Sequence, residues 1–405
     1  MADLQHIPDM VNWLAQWFAD KVGFDISSWQ WLIYAIGICV ACAIMLGIVL
    51  VCSIVWTWAE RRVSGRIQSR IGPNRVGPQG LLQPLADGIK LIAKEDLIPD
   101  KADKFIFYFA PYVVFVGALL PFAALPFSEK FVATQINVGV YFALSFAALE
   151  VIGVIMAGWG SNSKWSLYGG MRLAAQMMSY EIPMGLSVLT IVVFCGSLNF
   201  VDIGNAQAGL TGWFIFNPRL FPWGFIGAII FFVAGLASAK RLPFDLPEAE
   251  SELVSGFHTE YSGIRFSIFF MAEYGAMFMI CMATAVLFLG GWHGPIPRFF
   301  LTDGHVLHQL IGASNMALKA SFLMFVMIWV RWTFPRIRID QVMYMCLKVL
   351  LPFAMLCLVG ATVWTLLDED RIQQRAAEQQ REAETQNERV IEKTPTPPDL
   401  EVDDK

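Results

Sequence analysis

Apolar residues in this chain fall in long blocks. Eight runs, at about 31–58, 105–125, 138–158, 173–198, 221–237, 266–290, 310–332 and 344–367, are mostly Leu, Ile, Val, Phe, Ala and Gly. A helix needs roughly 20 such residues to cross about 30 Å of hydrocarbon. Lipid offers no partner for open backbone, so each run is expected to be helical. The predicted fold is an all-α integral membrane protein, with about eight transmembrane helices in a membrane domain over residues 30–367. Ahead of it, IPDMVNWLAQWFADKVG spaces Val11, Leu14, Trp17 and Phe18 as an amphipathic helix does, so 1–29 is read as an interfacial segment. The opening MADLQHIPD has no basic stretch before its apolar residues, and no signal peptide is expected to be removed.

Composition supports the membrane class, with 56% hydrophobic and 16% charged residues. The net charge of −5 is concentrated in the polar, Pro-bearing tail at 368–405, which holds twelve acidic and six basic residues. That tail is expected to hold at most a short helix followed by disorder. The remaining chain carries a net charge of +1.

The connections at 59–104, 159–172, 238–265 and 333–343, with the span ends beside them, contain seventeen Lys and Arg. The opposite side has Lys21, Lys130, Arg219 and Arg298 besides the tail. By the positive-inside rule the basic loops are cytoplasmic and both termini lie on the other face.

Charge inside the spans costs about 2.5 to 3.5 kcal/mol per residue, so it points to function. Counting along the helices at about 1.5 Å per residue puts Glu150, Glu181, Glu273 and Lys319 at depths of roughly 12, 15, 10 and 20 Å from the inner ends of four helices. A band of this kind suggests a lateral path for protons. Pro183 withdraws a donor from the carbonyl of Ser179 and is expected to open or kink the helix beside Glu181.

Two inner loops are more elaborate than connectors. The first, AERRVSGRIQSRIGPNRVGPQGLLQPLADGIKLIAKE, turns through glycines and resumes as an amphipathic piece. The third, LPFDLPEAESELVSGFHTEYSG, carries Asp245, Glu248, Glu250, Glu252 and Glu260 without a Lys or Arg. If LPEAESELV were helical, Asp245, Glu248 and Glu252 would share a face. Arg61, Arg70, Arg241 and Arg265 are the expected counter-charges.

Six of the seven cysteines sit well inside apolar runs, where thiols pack as small hydrophobes, and the C-x-x-C of Cys39 and Cys42 is read the same way. No four-Cys cluster set and no glycine-rich dinucleotide turn occur in the sequence. No permanently bound cofactor and no metal site are expected. The Gly- and Arg-rich loop matches no phosphate loop, and nucleic acid is not an expected partner.

The first loop, GWGSNSKWSLYGGMRLAAQMMSYE, RLPFDLPEAESELVSGFHTEYSG with FFMAEYG, and RWTFPRIRIDQ together resemble the H subunits of bacterial proton-pumping NADH:quinone oxidoreductases, counterparts of a mitochondrially encoded subunit of respiratory complex I. The likeness covers about residues 30–367. It implies a subunit of a proton-translocating enzyme in the bacterial inner membrane. Quinone would be the substrate, and NADH and iron–sulfur clusters would be held by partner subunits. The partners would be other membrane-arm subunits, the quinone-proximal subunits of the peripheral arm, and lipid.

The resemblance points to Arg61, Gln68, Arg70 and Asp87, and to Arg241, Asp245, Glu248, Glu250, Glu252 and Glu260, as quinone-chamber and inner-loop residues. Lys164, Arg172, Glu181, Glu273, Lys319 and Arg331 are implied for proton transfer. Glu150, chosen from depth, matches no motif and is the weakest of the path. Ser238 stands where many members carry an acidic residue; Trp165 and Ile339 each replace a usual Tyr. The alternatives are a membrane anchor of an energy-converting hydrogenase or formate hydrogenlyase and an ion-coupled transporter, although no internal repeat is evident.

Overall fold

The computed structural model describes residues 30–209, 212–218, 220–248, 250–294 and 306–367. The expected interfacial segment at 1–29 and the tail at 368–405 lie outside the described residues.

The apolar blocks become helices. They are α1 (Gln30–Ile67), α3 (Lys104–Leu119), α4 (Gly139–Gly160), α5 (Lys164–Cys195), α7 (Trp223–Ser238), α8 (Gly263–Phe288), α9 (Val306–Thr333) and α10 (Ile339–Leu367). Between them lie the amphipathic α2 (Gln83–Ala93) and the short α6 (Phe200–Asn205). Among the described residues seven helices, counting the 3-10 extension of α3, are long and apolar enough to span a membrane. The fifth expected span is the shorter α7, whose 16 residues make about 24 Å of helix. The α10 span includes a π-helical turn at Met345–Leu350.

α8 is the centre of the bundle. Of its most apolar window 67% is buried, against 11% for α1 at the periphery. Phe278, Ile280, Met282, Val286 and Phe288 bury the outer half of α8 in the main apolar core. α3 packs on α4 at close quarters, because a Cβ on Gly117 would stand 2.6 Å from the backbone nitrogen of Glu150.

Carbonyls near the C-terminal end of α8 need donors. The Gln207 amide donates to Val286 at 2.7 Å, and the Lys319 ammonium donates to the carbonyls of Leu289, Gly291 and His293. Lys319 also stands 4.2 Å over the Trp213 ring. α5 continues as helix through Pro183.

The first loop folds onto the bundle. Arg62 donates to the carbonyl of Gln79 at 2.6 Å and the Trp58 indole donates to the same oxygen at 3.1 Å, drawing the glycine turns back against α1. Asp87 on α2 pairs with Arg61.

Candidate functional site

The C-terminal ends of α1 and α9 and the N-terminal half of α8 meet the acidic loop around four charged side chains. The last turns of α1 bring in Glu60, α8 brings Glu273 and Tyr274, α9 brings Arg331, and the turn after α7 brings Arg241. The Arg241 guanidinium lies 3.1 Å from Glu60 Oε1 and 2.9 Å from Glu273 Oε1. It also stands 4.6 Å over the Tyr274 ring. Arg331 donates to Glu60 Oε1, and the Tyr274 hydroxyl donates to Glu60 Oε2 at 2.7 Å. Glu60 and Arg241 expose 8% of their side chains, so two guanidinium groups and two carboxylates balance one another largely away from water.

These residues wall a cavity of about 350 Å³. Glu248, Lys240, His258 and Arg61 add polar groups, while Phe257, Phe266, Phe269 and Phe270 supply an aromatic side. Such a mixture suits a planar, uncharged ring that carries hydrogen-bond acceptors. A larger apolar cavity of about 690 Å³, lined by Ile38, Met45, Val49, Leu119 and Phe122, has no comparable charge set.

Among the described residues the acidic segment is α-helical only at Glu250–Leu253, with a 3-10 turn at Gly256–His258, so Asp245, Glu248 and Glu252 do not share the face expected of a longer helix. Each finds a different environment. Asp245 lies 3.5 Å from Arg336, and Glu252 lies 2.5 Å from Arg172 at the inner end of α5. Glu248 turns into the cavity with its Oε1 3.9 Å from His258 Nδ1. The Glu250 side chain lies outside the described residues, and Glu260 is half-buried.

The chain doubles back at Gly256 with φ of 60°, where a Cβ would lie 1.7 Å from the carbonyl oxygen of Pro247. Only glycine fits that turn. Arg265, an expected counter-charge, pairs with Asp96 at 2.9 Å instead of with the acidic segment.

The depth band separates into four places. Glu273 belongs to the central network. Glu150, 5% exposed, bonds the Lys240 ammonium at 2.6 Å. Glu181 lines a separate, mainly apolar cavity of about 400 Å³ with Val140, Leu144, Met184 and Val188. Lys319 is held by the carbonyls beyond α8. Lys164, at the head of α5, is exposed, as are Gln68 and Arg70, which join through a 2.6 Å hydrogen bond.

Glu60, Lys240, Tyr274, Arg336 and His258 were not among the residues singled out from sequence. Glu60 opens the run ERR at a span end, where charges normally mark the membrane surface. A polar residue that precedes two arginines yet still falls on a helix was the available signal.

Burial pushes the Asp245 carboxyl up to about 6, with Arg336 limiting the rise. Burial, reinforced by Lys240, pushes the His258 imidazole down to about 4. Burial, with Glu273 and Asp245 near, holds Glu248 well above the usual carboxylate range. Asp245 therefore favours the fold below its unfolded value and loses that contribution as pH rises through about 6. His258 has the opposite sign, its contribution being present above its unfolded value and lost as pH falls through about 4. An infrared titration from about pH 5 to 7 is expected to show one carboxyl ionising near pH 6, gone in Asp245→Asn and kept in His258→Gln. A titration that Asp245→Asn leaves unchanged would contradict the assignment.

Fold and site together define an all-α, multi-span membrane protein with a charged, aromatic-walled cavity at one end. The family model described as NADH dehydrogenase matches residues 40–362. The H subunit of the NADH-quinone oxidoreductase of Chlorobium luteolum is 44% identical over 338 residues, covering 82% of this chain and 90% of its own length. The H subunit of the Anaeromyxobacter dehalogenans enzyme is 44% identical over 361 residues, 85% of this chain and 87% of that one. NADH-quinone oxidoreductase subunit 8 of Rhodothermus marinus is 45% identical over 321 residues, 77% and 92% of the two chains. The chain belongs to this family of NADH-quinone oxidoreductase H subunits.

Proposed function

We propose that the chain is the membrane-arm subunit that walls the quinone-access chamber of a proton-translocating NADH:quinone oxidoreductase and couples quinone reduction to proton movement. The observation that carries this reading is the 350 Å³ cavity, in which the inner loops, the acidic segment and three membrane helices meet around Glu60, Arg241, Glu248, Glu273 and Arg331. Its phenylalanines suit a quinone ring and its buried charges suit a response to that ring's reduction. The names of the relatives favour this over a hydrogenase anchor.

Electrons arrive from NADH through iron–sulfur clusters of partner subunits, and the quinone takes up two electrons and two protons. Quinone enters laterally from lipid, with the basic loops on the cytoplasmic side and both termini opposite. As negative charge develops on the ring, the fixed cations Arg241 and Arg331 stabilise it. The raised affinity of Glu248 for a proton suits a group that holds one near the ring and passes it on. From there the path runs to Glu273 and Glu150, with Glu181 at the separate apolar cavity. Arg61, Asp87, Gln68 and Arg70 organise the loop where the peripheral arm docks.

The test is Glu248→Gln in the purified complex reconstituted in vesicles, with quinone reduction and proton translocation measured separately. Protons moved per quinone reduced are expected to fall by about tenfold or more. An unaltered ratio would remove Glu248 from the coupling and this reading with it.

A further inference from the structure

Lys240 is an unusual lysine. It is 4% exposed, bonds Glu150 in the bundle interior, and still forms part of the cavity wall. Its backbone sits at φ of 53°, a region that non-glycine residues seldom occupy and that the surroundings must enforce. Its ammonium stands 5.4 Å from the centre of the Phe257 ring. Glu150 does not line the cavity, so Lys240 is the side chain that reaches from the cavity wall to that carboxylate.

The groups that face Lys240 are few. Glu150 comes from α4, with the Tyr180 hydroxyl of α5 near that carboxylate. Glu248 and His258 come from the acidic segment, and Glu273 comes from α8. Arg241 is its neighbour in the chain and is committed to Glu60 and Glu273. Burial would push the ammonium down, but Glu150 first, and Glu248 and Glu273 beyond it, hold it above the ordinary lysine value. Lys240 is therefore a cation with two carboxyls to choose between, one inward and one at the cavity.

The geometry points to Lys240 as the positioning residue that sets which of Glu150 and Glu248 carries the negative charge, and so gates proton passage between the cavity and the bundle interior. In the resting state so inferred, the ammonium, 2.6 Å from Glu150, holds that group as the carboxylate and Glu248 carries the proton. When charge in the cavity draws the ammonium towards Glu248, the Glu248 O–H bond breaks and an O–H bond forms on Glu150. Glu248 becomes the carboxylate, Glu150 the neutral acid, and Lys240 keeps all its protons. Net charge is unchanged, so the transfer needs no external donor. This step rests on the coupling role proposed above and adds to it a cation shared between two carboxyls.

The experiment uses the whole purified complex carrying Lys240→Met, Lys240→Arg, Glu150→Gln, or Lys240→Met with Glu150→Gln. Without its cation, Glu150 is expected to take up a proton. Infrared spectra of Lys240→Met should gain a protonated-carboxyl band that is absent from Lys240→Arg and from the double variant. Protons translocated per quinone reduced should fall by about tenfold in Lys240→Met and recover in Lys240→Arg.

No new band, or an unaltered ratio in Lys240→Met, overturns the inference. Should Lys240→Met fail to assemble, Glu150→Gln carries the same test, since an unaltered ratio there is equally fatal. If Glu248→Gln pumps normally, the coupling reading itself fails. If Glu248→Gln loses pumping while the Lys240 and Glu150 variants keep it, only the role of Lys240 fails.

Discussion

Replacing Arg241 with Met is expected to remove this subunit from the assembled membrane complex. The guanidinium lies 3.1 Å from Glu60 and 2.9 Å from Glu273, with the Tyr274 ring beneath it. Removing one partner from a buried ion network leaves charges that neither water nor protein satisfies, at a cost of roughly 3 to 5 kcal/mol. Folded proteins hold only about 5 to 15 kcal/mol in reserve.

Arg331 still neutralises Glu60, so the uncompensated group is Glu273. Adding Glu273→Gln to Arg241→Met should therefore recover part of the lost subunit. Arg241→Lys should rescue poorly, because one ammonium cannot present a planar fork to two carboxylates. The check is the amount of subunit retained in the native complex by quantitative mass spectrometry. Wild-type abundance in Arg241→Met would show that the network contributes little to assembly.

The contrast between that network and the sequence has a physical basis. The spans were legible because a helix in lipid must be apolar for its full length, and that requirement is local. Even the exception is informative: α7 is helical where expected but shorter, since Pro222 and the turn at Lys240 bound it.

Charge partners are not local. Glu60 meets Arg241 and Arg331 across 181 and 271 residues, and nothing in ERR announces either partner. Counting residues gives depth but not direction. Glu150, Glu181, Glu273 and Lys319 were placed in one band by depth alone, yet they point to Lys240, an apolar cavity, Arg241 and the carbonyls beyond α8. The acidic segment was legible as a cluster, but its pairing was not. Its α-helix among the described residues is the single turn Glu250–Leu253, and its carboxylates turn to Arg336, the cavity and Arg172. Ser238, which stands where many members carry an acidic residue, lies beside the Tyr180 hydroxyl, so the position stays polar without carrying charge.

Glu60→Ala is expected to loosen α1 from the bundle and to abolish quinone reduction with it. α1 buries little of its apolar surface, so the carboxylate near its C-terminal end is a main anchor. Through that single group α1 is tied to the turn after α7 by Arg241, to α8 by Tyr274 and to α9 by Arg331. Truncation leaves Arg331 without this buried counter-charge and the Tyr274 hydroxyl without its acceptor, again roughly 3 to 5 kcal/mol, and it opens the cavity wall. The substitutions should grade. Glu60→Gln keeps the shape and an acceptor for Tyr274 but not the charge, and should fall between Glu60→Ala and wild type. Glu60→Asp keeps the charge but is one methylene short, and should assemble while binding quinone more weakly. Thermal dissociation of the subunit from the detergent-solubilised complex measures the first effect, and the KM for quinone measures the second. A Glu60→Ala complex with unaltered dissociation temperature and KM would mean that α1 is held by lipid and neighbouring subunits, and that Glu60 is not part of the chamber.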